Sequence, residues 1–120
     1  MIQHIVGFRY RPTVTQQQKE EVLQRFLALK QDCKRDDRTY IECLIGGDCT
    51  GSLEGLTAGF EHAFIVTFKD RDDYGFHLGQ PFSSPFDLVH DEFKKFAVPL
   101  LSVDEDGKTN GAIVFDFSSP

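Results

Sequence analysis

The chain has 120 residues, of which 40% are hydrophobic and 27% are charged, and its formal net charge is -6. These values fit one globular domain spanning 1–120, with a core over about 2–101 and a last strand at 112–117. The acidic balance argues against nucleic acid as a partner, since phosphate backbones are bound by clustered Lys and Arg. The absence of any run of ~18 apolar residues argues against a membrane partner.

The cysteines and the N-terminus bear on the compartment. Cys33, Cys43 and Cys49 are odd in number and lack the spacing of metal ligands. The segment that begins at Met1 has no basic stretch followed by a long apolar run, so it does not resemble a signal peptide. We therefore expect a protein of the reducing cytoplasm, with no metal ion and no cofactor.

The first strand and the first helix are predicted from local patterns. Residues Ile2 to Tyr10 are rich in β-branched and aromatic side chains and end before Pro12, which predicts strand one. Thr15 and Gln18 have the spacing of a capping box, which predicts that a helix begins there. The helix then carries an apolar stripe at three- and four-residue spacing, formed by Val22, Leu23, Phe26, Leu27 and Leu29.

The middle of the chain predicts two further strands separated by loops. Asp32 to Arg38 is a charged loop, and Thr39 to Ile45 is strand two, closed by two glycines. Asp48 to Gly59 is rich in glycine, but it lacks the Lys-Ser/Thr ending of a phosphate-binding loop and is interpreted as an ordinary connection. His62 to Phe68 is strand three, and Lys69 to Leu78 is a short helical turn capped by an acid.

The last part of the chain predicts a second long helix and a final strand. Ser84 followed by Pro85 is typical of a helix start, and Pro99 marks the helix end. The apolar stripe of this helix consists of Phe86, Val89, Phe93, Phe96, Ala97 and Leu100. After a polar turn at 104–111, Ala112 to Phe117 is the last strand. The order β-α-β-β-α-β is that of a ferredoxin-like α+β domain.

The two faces of the predicted sheet suggest a partner. Strands one and three carry apolar side chains on both faces, whereas a sheet with water on one face should alternate apolar and polar residues. Two helices cover only one face, so the other would remain an exposed apolar area of the kind that marks an interface. We therefore expect a homodimer in which two sheets pack face to face. The alternative is a monomer with a few tolerated apolar side chains at its surface.

Two segments carry a resemblance to a known family. The opening 2–10 (IQHIVGFRY) followed by 15–21, and the later segment 59–68 (GFEHAFIVTF), resemble in order and spacing the stress-responsive dimeric α/β-barrel family. That family includes olivetolic acid cyclase-type proteins. The likeness covers nearly the whole chain and departs at the loops 46–58 and 102–111. It implies a homodimer whose two sheets form a central barrel.

The resemblance also implies a pocket. His4 and His62 correspond to two pocket histidines of the cyclase, and its apolar lining corresponds to Val6, Phe8, Leu23, Phe64 and Val66. The catalytic pair of the cyclase lies in a Tyr-x-x-His-Pro-x-His segment, which matches 77–83 in this chain. His77 replaces the tyrosine, and Gln80 and Ser83 replace the two histidines. The catalytic pair of the cyclase is therefore not kept.

The histidines are the candidate acid–base groups. His4 and His62 head two strands and are interpreted either as a buried proton-transfer pair or as structural residues that bond loop backbone. His77, near Tyr74, either replaces the missing tyrosine or faces solvent, and His90 either looks into the pocket or is structural. The catalytic candidates are His4, His62 and His77. The substrate-binding candidates are Val6, Phe8, Leu23, Phe64, Val66, Tyr74 and His90.

The functional prediction is a dimeric protein that binds a small hydrophobic molecule, either aromatic or polyketide-like. For an enzyme we expect cofactor-free proton transfer, as in a cyclase, a decarboxylase or another lyase. The alternative is a non-catalytic, stress-responsive structural protein. A haem- or quinone-handling monooxygenase and a metal site built from histidines with Asp or Glu are further hypotheses.

Overall fold

A computed structural model describes residues 1–49 and 53–120 of the chain. The predicted connection at 48–59 therefore lies partly outside the described residues. Among the described residues there are four long strands and two short ones. The two short strands form a hairpin that lies in sequence between the first and the second long strand. The strands are β1 (Ile2–Phe8), β2 (Lys34–Arg35), β3 (Arg38–Thr39), β4 (Ile41–Asp48), β5 (His62–Phe68) and β6 (Ala112–Ser118).

The main sheet has the order β4-β5-β1-β6, and every neighbouring pair is antiparallel. The connection from β1 to β4 skips over β5, and the connection from β5 to β6 skips over β1. This split arrangement is the ferredoxin-like α+β fold, as the sequence predicts. The helices are α1 (Gln16–Asp32), α2 (Arg71–Leu78) and α3 (Leu88–Ala97), and α3 continues as a 3₁₀ turn at Val98–Leu100.

The aromatic core lies between the sheet and the helices. The inner face of the sheet is buried at Val6, Phe8, Phe64 and other alternate positions of β1 and β5. From α1, the ring of Phe26 stacks on that of Phe64 with ring centroids 3.6 Å apart, and Phe93 of α3 meets Phe26 edge to face at 5.4 Å. Rings packed in this way bury a large apolar area and hold both helices on one face.

The opposite, outer face of the sheet carries a straight apolar row. Ile45, Ile65, Ile5 and Phe115 stand opposite one another in register across β4, β5, β1 and β6. Ile45 is 57% exposed and Phe115 is 53% exposed. The prediction of an apolar second face is therefore confirmed at the level of individual positions.

The ends of two strands differ from the prediction. β1 ends at Phe8 rather than Tyr10, and Tyr10 forms an isolated bridge with Leu101. β4 begins at Ile41 and continues through Gly46 and a second glycine to Asp48. Gly46 is required in the strand because a Cβ atom there would lie 2.3 Å from the ring of Phe64. The two glycines thus continue the ladder instead of closing it.

The start of α3 also corrects the prediction. The cap is Asp87 rather than Ser84, because the Asp87 carboxylate accepts hydrogen bonds from the backbone N–H groups of Val89 and His90. The buried face of the helix includes Phe93 and Ala97, as predicted, together with His90. His90 is buried, whereas Val89, assigned to the apolar stripe, is 42% exposed.

The segment predicted as a charged loop contains regular structure. α1 extends through Asp32, and β2 pairs with β3 across a turn at Asp36 and Asp37. Both aspartates have positive φ, 54° and 62°, a conformation that Asp tolerates in two-residue hairpin turns.

None of the helices in the described ranges has the length and apolar character needed to cross a membrane.

Candidate functional site

A cavity of about 230 Å³ lies between the inner face of the sheet and α3. Its walls are mainly apolar and include three histidines and one lysine. Val114, on its rim, is 51% exposed, so the cavity opens beside β6. The lining consists of His4, Val6, Phe8, Phe26, His77, Leu78, His90, Phe93, Lys94, Ala97, Val98, Leu101, Ala112 and Val114.

The period of the strands places one histidine on this wall. Alternate residues of β1 point to the same face, so His4 projects inward with Val6 and Phe8. In β6, Asp116 stands directly opposite His4. A carboxylate and an imidazole are thereby brought together at the sheet end of the cavity.

His4 and Asp116 form a close pair. The His4 Nδ1 atom lies 2.6 Å from Oδ1 of Asp116, and the Tyr74 hydroxyl donates to the other carboxylate oxygen. Because an ionised carboxylate only accepts, His4 donates through Nδ1, and the neutral form of the ring then carries its lone pair on Nε2. Burial, and then the hydrogen bond to Asp116, raise the pKa of Tyr74 to about 12. The arrangement resembles the Asp–His pair that orients a general base.

His77 is the second histidine of the cavity and belongs to a buried polar cluster. Its Nδ1 atom lies 3.1 Å from the Tyr40 hydroxyl, which in turn donates to Oδ2 of Asp87. Burial raises the pKa of Tyr40 and that of Cys33, and the neighbouring Asp87 adds to both shifts. Tyr40 and Cys33 are therefore held in their neutral, protonated forms.

His90 is the third histidine and packs directly on the second. The two imidazoles are stacked with centroids 3.6 Å apart, and His90 Nδ1 donates to the backbone carbonyl of His77 over 2.6 Å. Burial lowers the pKa of His90 to about 4 and lowers that of His77 well below its ordinary value. The positive charge of Lys94, also in the lining, contributes to both shifts. Both rings are neutral at physiological pH.

Three of the buried side chains offer the donor types of a metal site. One ligand atom from each of Cys33, His77 and Asp87 lies within 4.8 Å of the others. Cys33 and Asp87 are not part of the cavity lining. Each of the three side chains also takes part in a hydrogen-bonded network.

His62 is not brought to this cavity. It pairs with Phe8 in the sheet, whereas His4 pairs with Val66, so the two histidines are separated by about 13 Å along the strands. His62 bonds instead to the Tyr10 hydroxyl (2.7 Å) and to Asp48 (2.9 Å). The structure therefore joins His4 with His77, but not with His62.

The predicted binding residues divide in the same way. Val6, Phe8 and His90 line the cavity, whereas Leu23, Phe64 and Val66 are buried in the adjoining core. Tyr74 contacts the pair beneath the lining, with its ring 5.5 Å from that of His4. The chain thus keeps a tyrosine next to the cavity, although not at position 77.

Sequence reasoning missed Asp116, Tyr40, Asp87 and Lys94. Only Asp116 had a clear signal, since it is a lone acid within the apolar run AIVFDF and has the parity of Ala112 and Val114. Tyr40 and Asp87 meet through contacts between segments 47 residues apart. A contact between segments this far apart cannot be predicted from local residue spacing.

Solved structures of other proteins share this fold. The hydroxynitrile lyase from Passiflora edulis is similar with a TM-score of 0.72 at 20% identity, covering 97% of this chain and 90% of that one. The protein At3g17210 from Arabidopsis thaliana has a TM-score of 0.74 at 18% identity, with coverages of 100% and 96%. A protein from Thermobifida fusca, described as dimeric, ferredoxin-like and of unknown function, has a TM-score of 0.64 at 20% identity, with coverages of 98% and 90%.

The family assignment rests on sequence. No curated protein matches the chain. A family model described as the stress-responsive A/B barrel domain matches residues 2–119, which is nearly the whole chain. The chain therefore belongs to the stress-responsive A/B barrel domain family, as the resemblance of its two short segments implies.

Proposed function

We propose that this protein is a cofactor-independent lyase that acts on a small apolar molecule bearing a hydroxyl group. The observation that carries the proposal is the His4–Asp116 pair at the wall of an apolar cavity. His4 donates to the carboxylate through Nδ1, so Nε2 is free to accept the hydroxyl proton of a bound molecule. The hydroxynitrile lyase among the structural neighbours performs a reaction of this class.

The reaction balances without any added group. Nε2 of His4 takes the hydroxyl proton, the oxygen forms a carbonyl, and the bond from the carbinol carbon to its leaving group breaks. With an α-hydroxynitrile the leaving group is cyanide, which regains the proton from His4 and departs as hydrogen cyanide. Asp116 stabilises the imidazolium that exists between the two proton transfers.

The cavity suits such a substrate in size and polarity. Its 230 Å³ is below the range of about 300–1,000 Å³ that holds drug-sized ligands, which favours a single substituted ring or a short chain. The apolar walls exclude water and strengthen the few polar contacts inside. Lys94, whose ammonium group donates to the carbonyl of Leu78 over 3.0 Å, supplies a positive charge close to a departing anion.

The first prediction tests this base. With mandelonitrile as the probe, the protein releases benzaldehyde, which is followed by its absorbance. His4→Ala lowers the rate by about 100-fold or more, because general-base catalysis contributes at least that much. Asp116→Asn lowers the rate less than His4→Ala, since it keeps the ring but removes the charge that stabilises the imidazolium.

His62→Ala is the matched comparison, because it removes a second buried histidine that lies outside the lining. We expect it to reduce stability and to retain turnover. Equal losses in His4→Ala and His62→Ala, with both variants folded by circular dichroism, would contradict the proposal. A folded wild-type protein that does not cleave the probe would leave the non-catalytic, stress-responsive function as the better explanation.

We also propose that the protein is a homodimer assembled through the outer face of the sheet. The apolar row of Ile45, Ile65, Ile5 and Phe115 is aligned across all four strands, and two such rows can interdigitate. Exposed apolar area of this extent is typical of an interface. Structural neighbours from Thermobifida fusca and Jannaschia are described as dimeric ferredoxin-like proteins.

A further inference from the structure

Asp87 uses its two carboxylate oxygens for different purposes. Oδ1 accepts the backbone N–H groups of Val89 and His90 at 2.9 and 3.1 Å, which caps α3. Oδ2 accepts the hydroxyl of Tyr40. Both residues are almost fully buried, Asp87 at 3% exposure and Tyr40 at 8%. The rigid start of a helix thus fixes the position of the oxygen that Tyr40 meets.

The hydrogen bonds that link Asp87, Tyr40 and His77 determine where each proton lies. The Tyr40 hydroxyl has one proton, and it goes to Asp87 because a carboxylate cannot donate. Towards His77 the same hydroxyl oxygen can only accept. The 3.1 Å contact between Tyr40 and Nδ1 of His77 therefore requires that Nδ1 carries the ring proton. Nε2 of His77 is left as an acceptor.

Since Nδ1 is turned towards Tyr40, we infer that the remaining nitrogen, Nε2, faces the cavity. His77 lines it, whereas Tyr40 and Asp87 lie behind the ring. Within the described ranges Nε2 has no hydrogen-bond partner, and no polar side-chain atom there is both sealed from solvent and unpaired. Stacking against His90, together with the bond from His90 to the His77 carbonyl, keeps the ring from turning.

We propose that Tyr40 and Asp87 are positioning residues that hold His77 as the Nδ1–H tautomer, so that the cavity presents a second imidazole lone pair beside that of His4. The centroids of the two rings are 6.3 Å apart. A ligand that satisfies both acceptors carries two donors at one end, such as a hydroxyl and a second N–H or O–H group. A catalytic role for the two acceptors rests on the proposed lyase function, whereas the assignment of the His77 tautomer does not.

The alternative is a purely structural polar cluster, in which the tautomer of His77 is not controlled. A free imidazole in water prefers the Nε2–H form, so a dominant Nδ1–H form needs a specific acceptor at Nδ1. Asp87→Asn separates the two explanations. Its amide oxygen can still cap α3, but an N–H group replaces the oxygen that faces Tyr40. The amide then donates to Tyr40, Tyr40 donates to His77 Nδ1, and the ring proton moves to Nε2.

The experiment is long-range ¹H–¹⁵N correlation NMR of the histidine rings in the uniformly labelled protein, slightly above neutral pH and without ligand. The unprotonated ring nitrogen resonates far downfield of the protonated one, so each spectrum identifies the tautomer. We expect the Nδ1–H form in the wild type, the Nε2–H form in Asp87→Asn, and loss of the strict preference in Tyr40→Phe. Tyr74→Phe is the matched control, because it removes a tyrosine hydroxyl that bonds to the partner of His4, Asp116, and should leave the His77 tautomer unchanged.

An Nε2–H form of His77 in the wild type would overturn the inference, as would the same tautomer in the wild type and a folded Asp87→Asn. A wild type that cleaves no mandelonitrile but shows the inverted tautomer in Asp87→Asn would refute the lyase proposal alone. Zinc added to the wild type provides a further check. A changed ring ¹⁵N shift confined to His77, with loss of its ring proton signal, would show that the cluster with Cys33 and Asp87 is a metal site instead.

Discussion

At the scale of single residues, two of the cavity histidines, His77 and His90, are kept neutral by their surroundings. The pKa of His90 is lowered to about 4, and burial is the main cause. The pKa of His77 is lowered for the same reason, with a further contribution from the neighbouring His90. Neutral rings can accept a hydrogen bond, but the same burial that lowers stability in acid also makes His77 and His90 weaker bases than a free imidazole.

The pH dependence of stability follows from these shifts. In the unfolded chain both histidines titrate near 6.5, while in the folded protein they stay neutral to lower pH. Between about pH 6.5 and the lowered folded-state values, the unfolded state binds more protons, so the free energy of unfolding falls as pH falls. Each histidine contributes at most about 1.4 kcal/mol per pH unit in this window.

Urea unfolding followed by circular dichroism at about pH 7, 6 and 5 measures this slope, above the range where most carboxylates titrate. His90→Gln removes one of the two groups and should give a shallower slope than the wild type. An identical slope in both proteins would show that folding does not lower the pKa of His90.

The residues of the site were unequally accessible to sequence reasoning. His4 could be placed on the cavity wall because strand parity and the neighbouring apolar side chains of β1 are local. The roles of Tyr40 and Asp87 could not, since they depend on a contact between the start of β4 and the start of α3. His62 shares the parity of His4 but lies at the opposite end of the sheet. Parity alone therefore could not separate the two histidines.

At the scale of elements, local signals were reliable where a chain segment satisfies its own hydrogen bonds. The capping box of Thr15 and Gln18 is present with both of its bonds, and α1 begins at Gln16. The start of α3 was misplaced because Ser84 and Asp87 are both good capping residues, and the choice between them is made by packing. The Asp87 N–H donates to the carbonyl of Phe76 in α2, which sets where the helix begins.

A pair of adjacent glycines in β4 provides a prediction at this scale. Gly46→Ala should destabilise the protein by about 1–3 kcal/mol, because the added methyl group would lie 2.3 Å from the ring of Phe64 and displace its stack with Phe26. Gly47→Ala is the control, since a Cβ atom there meets no atom within 4 Å. Thermal or urea unfolding compares the two variants. Equal costs would mean that the stack is not tightly packed.

At the scale of the whole molecule, the exposed apolar row calls for a second copy. Phe115→Asp places a charge at the β6 end of the apolar row that forms the proposed interface, and we expect it to convert the dimer to a monomer of 13.6 kDa. Phe82→Asp is the matched control, because Phe82 is also exposed, at 68%, but lies in the connection before α3. Sedimentation equilibrium measures both masses. A wild type that already sediments as a monomer would refute the dimer.

β6 contributes both to the proposed interface and to the cavity. It is an edge strand with all seven residues exposed, it carries Phe115 on one face and Asp116 on the other, and Asp116 is the partner of His4. If a neighbouring subunit packs against β6, the strand would fray less, and the carboxylate of Asp116 would be held more firmly next to His4. Oligomerisation and acid–base competence would then be thermodynamically linked, and dilution below the dissociation constant would switch off the chemistry before the fold is lost.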